Sequence, residues 1–423
     1  MSRLITLIGL LCVPIVTVAE PPPPPNADDP VNYIQWMNDH YGEGITENAA
    51  DVYLKAVAAF DEDKELLDLS FTPNPSEWST EQRERLRGYV EQNAEALKLY
   101  AQAARIRRCY FAIEEGQSPA VLQGQWLHLQ PMRSLAKLTA GRARLRLAHG
   151  NIDGAAQDAV TLLSVCRHLQ AQPSVVAYVV GLACGGLAYD SVLFEIPRVT
   201  AKPVDYNAIL RAIKPADGAP RRPTRQLEGE LLMLWDCAQR FLRDADGDGR
   251  YESPTIDGLE EGPLAPQTLD EIVRESREYY ASVKEAFVDD YQKSKTRLEA
   301  IDRKIAAQKH KTLLSITAPS FDKFALLQRK LATSRNACRV LFLLHAYKAE
   351  HGHWPKDLKE ALPKGSAEKL DDPFANKPFG YRLKDGQPLL YSVGVNGVDD
   401  RGKPCDEKKW GDTGDVVFWP PQD

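Results

Sequence analysis

Residues 145–173 read LRLAHGNIDGAAQDAVTLLSVCRHLQAQP, two apolar runs at helical spacing joined across Gly150. A 3.6-residue period on both sides of a small turn predicts a helical hairpin. The next run, SVVAYVVGLACGGLAY (174–189), carries no charge until Asp190. That is short of the roughly 20 apolar residues a bilayer-spanning helix needs. Gly181, Gly185 and Gly186 within it suit close helix packing, so a buried core helix is expected.

The helical pattern extends in both directions. Ser79 and Gln82 form a capping box (S-T-E-Q), and Leu86, Tyr89, Val90, Ala94, Leu97 and Tyr100 follow at helical intervals. One long helix to Gly116 is expected. Thr268 and Glu271 repeat the device (T-L-D-E) ahead of a charged helix running towards His310. Proline and glycine clusters at 71–76, 215–223 and 249–266 punctuate these helices. After Pro363 the period changes. GYRLKDGQPLLYSVG places two strand-like runs around Asp385-Gly386, a hairpin dipeptide, and DVVFW (415–419) supplies a third strand. The expected fold is mainly α: a multi-helix N-terminal and central region followed by a small C-terminal α+β domain, a long helix plus a three-stranded antiparallel sheet. The expected divisions are a leader at 1–19, a proline-rich linker over 20–45, helical regions at 46–214 and 215–319, and the α+β domain at 320–423.

Two stretches resemble known families. In residues 145–173, Ala148, Gly150 and Ala155 stand where a tetratricopeptide-type helix pair carries small residues. Such arrays need about three repeats to bury a continuous core, and the pattern occurs once, so an ordinary hairpin is the preferred reading. The C-terminal hundred residues, about 321–419, resemble the globular part of type II secretion major pseudopilins. An apolar helix ends in AYKAEHGHWPKDLKEAL, DDPFANKPFGYRL follows as a turn into a strand, and YSVGVNGVDDRG with GDV matches the family's metal loop. The resemblance implies a pseudopilin-like fold and one calcium ion between the last strands. Here the helix is internal rather than N-terminal, which excludes assembly as a pilus subunit in the usual way.

Composition narrows the class of partner. Fifty-three basic and 59 acidic side chains give a net charge of −6 over 423 residues, with no dense basic patch, so nucleic acid is not expected. MSRLITLIGLLCVPIVTVAE has a basic start, a 15-residue apolar run from Leu4 to Val18 and small residues at Thr17 and Ala19, the pattern of a cleaved export signal. A secreted, periplasmic or cell-envelope location follows, with no transmembrane span after signal cleavage. PPPPPNADDP behind it is expected to be an extended linker. Beyond Cys12 lie Cys109, Cys166, Cys184, Cys237, Cys338 and Cys405. Export permits disulfides, with Cys166 and Cys184 on neighbouring helices the pair to test, while apolar surroundings favour buried thiols.

Two acidic loops carry the metal chemistry. In RDADGDGRYES (243–253), Asp244, Asp246 and Asp248 hold alternate positions of a DxDxDG loop. Alternate side chains turn towards one hard cation, and Gly249 allows the sharp bend. The Arg250 carbonyl and Glu252 would add ligands. Thr255 stands where a bidentate glutamate belongs, leaving Asp257, Glu260 or Glu261 to complete the shell. Calcium of weak affinity is expected at 244–252. The second loop, 396–415, offers Asp399, Asp400 and Asp415 on the strength of the pseudopilin resemblance, with Asn396 where aspartate is common; the alternative there is an Asx-rich surface loop. His351 and His353 in HGHWP form an alternate pair without a third ligand in sequence and read as solvent-facing.

The sequence lacks a GxSxG elbow, an HExxH helix, a phosphate loop and a dinucleotide fingerprint. The expected function is therefore an exported, calcium-stabilised helical envelope protein that binds or scaffolds another envelope protein or surface component. The alternative is a secreted hydrolase whose carboxylates, such as Glu260-Glu261 or Asp289-Asp290, or a Ser–His pair converge only in the fold.

Overall fold

The computed structural model describes residues 21–69, 78–114, 121, 127–199, 203–217, 222–244, 246–251, 264–308, 310–362, 370–405, 410 and 412–420. The leader lies outside the described residues, as do Glu252, Asp257, Glu260 and Glu261.

The chain opens with α1 (Tyr33–Gly42), α2 (Ala49–Ala58), α3 (Lys64–Leu69), α4 (Thr80–Gln92) and α5 (Ala94–Arg105). The central helices are α6 (Leu129–Ala148), α7 (Ile152–Leu169), α8 (Val175–Ala188), α9 (Ile196–Val199), α10 (Tyr206–Ile213) and α11 (Thr224–Phe241). Then come α12 (Leu269–Ala286), α13 (Tyr291–Ala306), α14 (Leu313–Thr317), the 31-residue α15 (Phe321–His351) and α16 (Leu358–Ala361). Short strands β1 (Asp371–Asp372) and β2 (Lys377–Pro378) pair with each other. Strands β3 (Gly380–Lys384), β4 (Gln387–Ser392) and β5 (Val416–Trp419) form the expected three-stranded antiparallel sheet. The protein is mainly helical with this small sheet at its C-terminal end.

Both capping boxes form. Ser79 accepts from the Gln82 N–H at 3.1 Å while the Gln82 side chain accepts from the Ser79 N–H at 2.9 Å. Thr268 and Glu271 do the same at 3.1 and 2.9 Å. The helices they open are shorter than their periodicity predicts. The first breaks at Asn93, whose buried amide accepts from the Asp61 N–H at 2.9 Å and donates to the Tyr89 carbonyl at 3.2 Å. A side chain that bonds nearby backbone competes with the helix ladder. The second ends at Ala286, and Asp290 caps a new helix by accepting from the Lys293 N–H at 3.0 Å.

The hairpin of α6 and α7 turns at Gly150, which has φ +73°, and Asn151 caps α7 through the Gly154 N–H at 2.9 Å. Helix α8 packs on α7 so closely that a Cβ on Gly181 would lie 2.9 Å from the Cys166 carbonyl oxygen. Tyr178, Leu182 and Cys184 are buried, as a core helix requires. The helical run does not stop at Asp190. It continues through a π-helical turn, Tyr189–Leu193, into α9. Residues Val175–Val199 are thus long and apolar enough to cross a membrane by length and composition, with half of the most apolar window buried inside the protein. The cysteines follow the reading that their apolar surroundings favoured. Cys166 and Cys184 are both buried free thiols, as are Cys109, Cys237 and Cys338, and Cys405 is half-buried. Burial raises the Cys166 thiol to about 12.

The segment expected to be an extended linker is docked at its far end. Gln239 on α11 accepts from the N–H groups of Asn26 and Val31 at 3.2 and 3.0 Å and donates to the Val31 carbonyl at 2.7 Å. The Tyr33 hydroxyl adds a bond to the Pro23 carbonyl at 2.8 Å. Proline lacks an N–H, so this run makes no ladder of its own and is held by side chains reaching from the helices.

The largest buried cluster draws on residues from Tyr33 to Phe418. Helix α15 runs beside α8, α10 and α13, and its far end meets the sheet, where Phe194 stacks on Phe418 at 5.4 Å. The hairpin between β3 and β4 turns at Asp385-Gly386, with φ +52° and +76° and Lys384 opposite Gln387, the two-residue turn whose twist matches the strands. Two buried aspartates, among the described residues, each hold a pair of arginines. Asp158 bridges Arg142 and Arg146 at 2.6 and 2.7 Å, tying α7 to α6. Asp217 holds Arg335 at 3.1 Å and Arg339 at 2.7 Å, both on α15, and accepts the Tyr189 hydroxyl.

Gly229 marks the tightest helix contact. A Cβ there would stand 2.0 Å from the Pro173 carbonyl oxygen, which is backbone and cannot rotate away. Around it, Gln226 donates to the Gln170 carbonyl at 3.0 Å and Glu230 accepts from the Val175 N–H at 3.1 Å. We expect Gly229→Ala to lower stability by about 1–3 kcal/mol, the usual cost of forcing extra volume into a packed core. Urea unfolding reads this directly, and a variant as stable as the parent would show that α11 can shift freely.

Candidate functional site

The acidic loop begins where α11 stops. Asp244 folds back on the loop, one carboxylate oxygen accepting from the Gly247 N–H at 2.8 Å and the other from Gly249 at 3.0 Å. Asp246 accepts from the Asp248 N–H at 3.2 Å, and Asp248 from the Arg250 N–H at 2.8 Å. Gly247 and Gly249 have φ +78° and +80°, so the chain curls around its own carboxylates. One oxygen from each of Asp244, Asp246 and Asp248 lies within 4.8 Å of the other two. Oxygens around a calcium ion at about 2.3–2.6 Å are separated by comparable distances. The exit of the loop is pinned. The Arg250 guanidinium donates to the Pro266 carbonyl at 2.7 Å and to Glu271 at 3.3 Å, and Tyr251 exchanges backbone bonds with Gln267 at 2.7 and 3.1 Å.

The second loop is arranged differently. Asp415 is fully buried and spends its oxygens on the N–H groups of Asp400 at 3.3 Å and Gly402 at 2.6 Å. Asp399 accepts from the Tyr391 hydroxyl at 3.0 Å and the Arg401 N–H at 2.8 Å, and Asn396 accepts from the Val398 N–H at 2.8 Å. Burial raises the Asp415 carboxyl above the usual range, with Asp399 and Asp400 adding to the rise and the two backbone bonds opposing it. Among the described residues, only Asp244, Asp246 and Asp248 bring three such ligand atoms together. Asp399 and Asp415 instead act as hooks for their own loop, and Asp400 enters through its backbone N–H.

A feature absent from the motif reading lies beside α15. A cleft of about 590 Å³ opens between residues 287–294, α15 and the 371–376 turn, with Arg222, Arg329, Arg335, Asp289, Asp371 and Asp372 among its walls. The Arg329 guanidinium donates to the carbonyls of Pro373 and Val288, both at 3.3 Å, and burial lowers its pKa. Asp372 accepts from the N–H groups of Phe374 and Val393 at 3.0 and 3.1 Å, and its own burial raises it. The only hint in sequence was the DDPF turn, whose partners lie on α15 and cannot be read from spacing.

No family model, curated protein or solved structure matches the chain.

Proposed function

We propose that this protein is an exported helical module of the cell envelope, binding or scaffolding a surface component and stabilised by calcium at Asp244, Asp246 and Asp248. The observation that carries the calcium reading is the convergence of three carboxylate oxygens within 4.8 Å on a glycine-curled loop. The cleft beside α15 gives such a module a concave, mixed-charge face. A hydrolytic role is less well supported, because Asp372, the buried carboxylate at that cleft, has both oxygens engaged by backbone N–H groups. We further propose a pseudopilin-like C-terminal unit, for which the succession of α15, α16 and an antiparallel sheet speaks.

Three carboxylates this close repel one another without a cation. Calcium that binds only the folded chain adds RT ln(1 + [L]/Kd), about 1 kcal/mol at millimolar calcium for a weak extracellular-type loop. Thermal unfolding with calcium and with chelator is expected to show that gain, and an Asp246→Ala, Asp248→Ala variant to lose it. A response that survives the double substitution would move the ion elsewhere, and silence in both proteins together with flat calorimetry would remove calcium from the proposal. N-terminal sequencing of the envelope fraction tests export: a mature end near Glu20 is expected, and an intact Met1 on cytoplasmic protein would overturn it.

A further inference from the structure

We propose that His351 and His353 bind one divalent transition cation of the zinc class through their Nε2 atoms, water filling the remaining positions. The pair sits at the exposed end of α15, and Gly352 between them has φ +78°, the left-handed conformation that ends the helix and turns the chain back. Both rings flank Tyr347. His351 stacks on it at 4.0 Å and 11°, and His353 meets it edge-on at 5.8 Å. The two imidazole centroids are 6.3 Å apart. Trp354, the next residue, is buried and packs against His345 at 4.9 Å, which anchors the turn.

What distinguishes this pair from two solvated histidines is the partner of each Nδ1. His351 Nδ1 lies 3.0 Å from the Tyr347 carbonyl oxygen, and His353 Nδ1 lies 3.0 Å from the Trp354 carbonyl oxygen. A carbonyl oxygen only accepts, so each Nδ1 must be the ring's N–H. The neutral imidazoles therefore carry their lone pairs on Nε2, the atom a metal takes. A backbone carbonyl bonded to the far nitrogen is the usual outer-shell arrangement of a metal-binding histidine, because it fixes the tautomer and makes the ligating nitrogen more basic. Two imidazoles sharing one zinc at about 2.0–2.1 Å hold their centroids about 5 Å apart in tetrahedral geometry, so binding requires the pair to draw in from 6.3 Å. The nitrogen ligands select zinc-class metals over the calcium expected at the oxygen-only loop 244–248.

The test is calorimetric titration of the full chain with zinc chloride in saturating calcium, which occupies oxygen sites. One zinc per chain is expected, weakened at least tenfold in His351→Gln and, separately, in His353→Gln. Both positions are exposed, so the variants should melt with the parent when metal is absent. Imidazole nitrogen resonances should show Nε2, not Nδ1, shifting in both residues on zinc addition. No binding at millimolar zinc, parental affinity in either variant, or metal-induced shifts at Nδ1 would each overturn the proposal.

Discussion

Replacing Asp217 with alanine is expected to cost about 3–5 kcal/mol, the usual price of leaving one half of a buried ion pair uncompensated. The side chain is 1% exposed and faces Arg335 and Arg339, whose side chains are 12% and 7% exposed. Nε of Arg339 donates at 2.7 Å, Nε of Arg335 at 3.1 Å, and the Tyr189 hydroxyl completes the shell. Removal takes the shared carboxylate from two desolvated guanidinium groups and a buried phenol at one point. It also unties the segment after α10 from α15. Denaturant unfolding of Asp217→Ala beside Glu65→Ala supplies the contrast, since Glu65 pairs with Arg85 at 2.9 Å with both side chains well exposed. Such exposed pairs contribute about 0–1 kcal/mol. Equal losses in the two variants would show that the Asp217 cluster is not a clasp.

Acid is expected to destabilise the protein through three histidines. Burial lowers His128, His168 and His345 from 6.5 to about 4 each, with Arg167 assisting at His168 and Lys348 at His345. A base whose folded pKa is depressed is protonated first in the unfolded chain. Its contribution is therefore intact above pH 6.5 and is lost as pH falls from 6.5 to 4, up to about 3 kcal/mol per histidine. Buried carboxylates act in the opposite sense. Desolvation raises Asp158, Glu230, Asp372 and Asp415, so the folded chain takes up their protons more readily and regains stability as pH falls. A difference measurement removes them from the comparison. His345 is ringed by Tyr206 at 5.0 Å, Trp354 at 4.9 Å and Trp419 at 5.2 Å, a setting that phenylalanine fits. Between pH 7 and 4.5, His345→Phe is expected to lose about 2–3 kcal/mol less than the parent. Parallel pH profiles for the two proteins would rule His345 out as a contributor.

Much of the helical frame is legible because its signals are local. Ser79 with Gln82 and Thr268 with Glu271 announce helix starts within four residues, and Asp385-Gly386 announces its hairpin by the positive φ angles that the turn demands. The helix ends were harder to read. Asn93 looks like one polar residue on a helical face until the Asp61 backbone, 32 positions away, arrives to engage it. The same holds for the interior charges. Arg335 and Arg339 stand one helical turn apart and read as a solvated stripe, whereas the fold brings Asp217 against both across more than a hundred residues. Of the candidate site, the alternation of Asp244, Asp246 and Asp248 was visible in sequence because ligand and turn share one segment. The hooks of Asp372 and Asp415 were not, because each closes on a backbone N–H 21 and 13 positions away, respectively, a span no local spacing announces.

The clasp at Gln239 has a kinetic corollary. It joins Val31 to a residue 208 positions further along the chain, so the Val31 amide waits for this partner until α11 exists. Closing so long a loop before any reward is slow, and contacts of this span usually form late. On the way out of a ribosome, the proline-rich stretch would travel as naked polymer while more than two hundred residues follow it. Proline runs are stiff and extended and have few donors to misplace, which makes this a segment suited to waiting. Pulse-labelled hydrogen exchange during refolding should find the Val31 amide protected after those of α6 and α7, whose hairpin closes through neighbours such as Asn151 and Gly154.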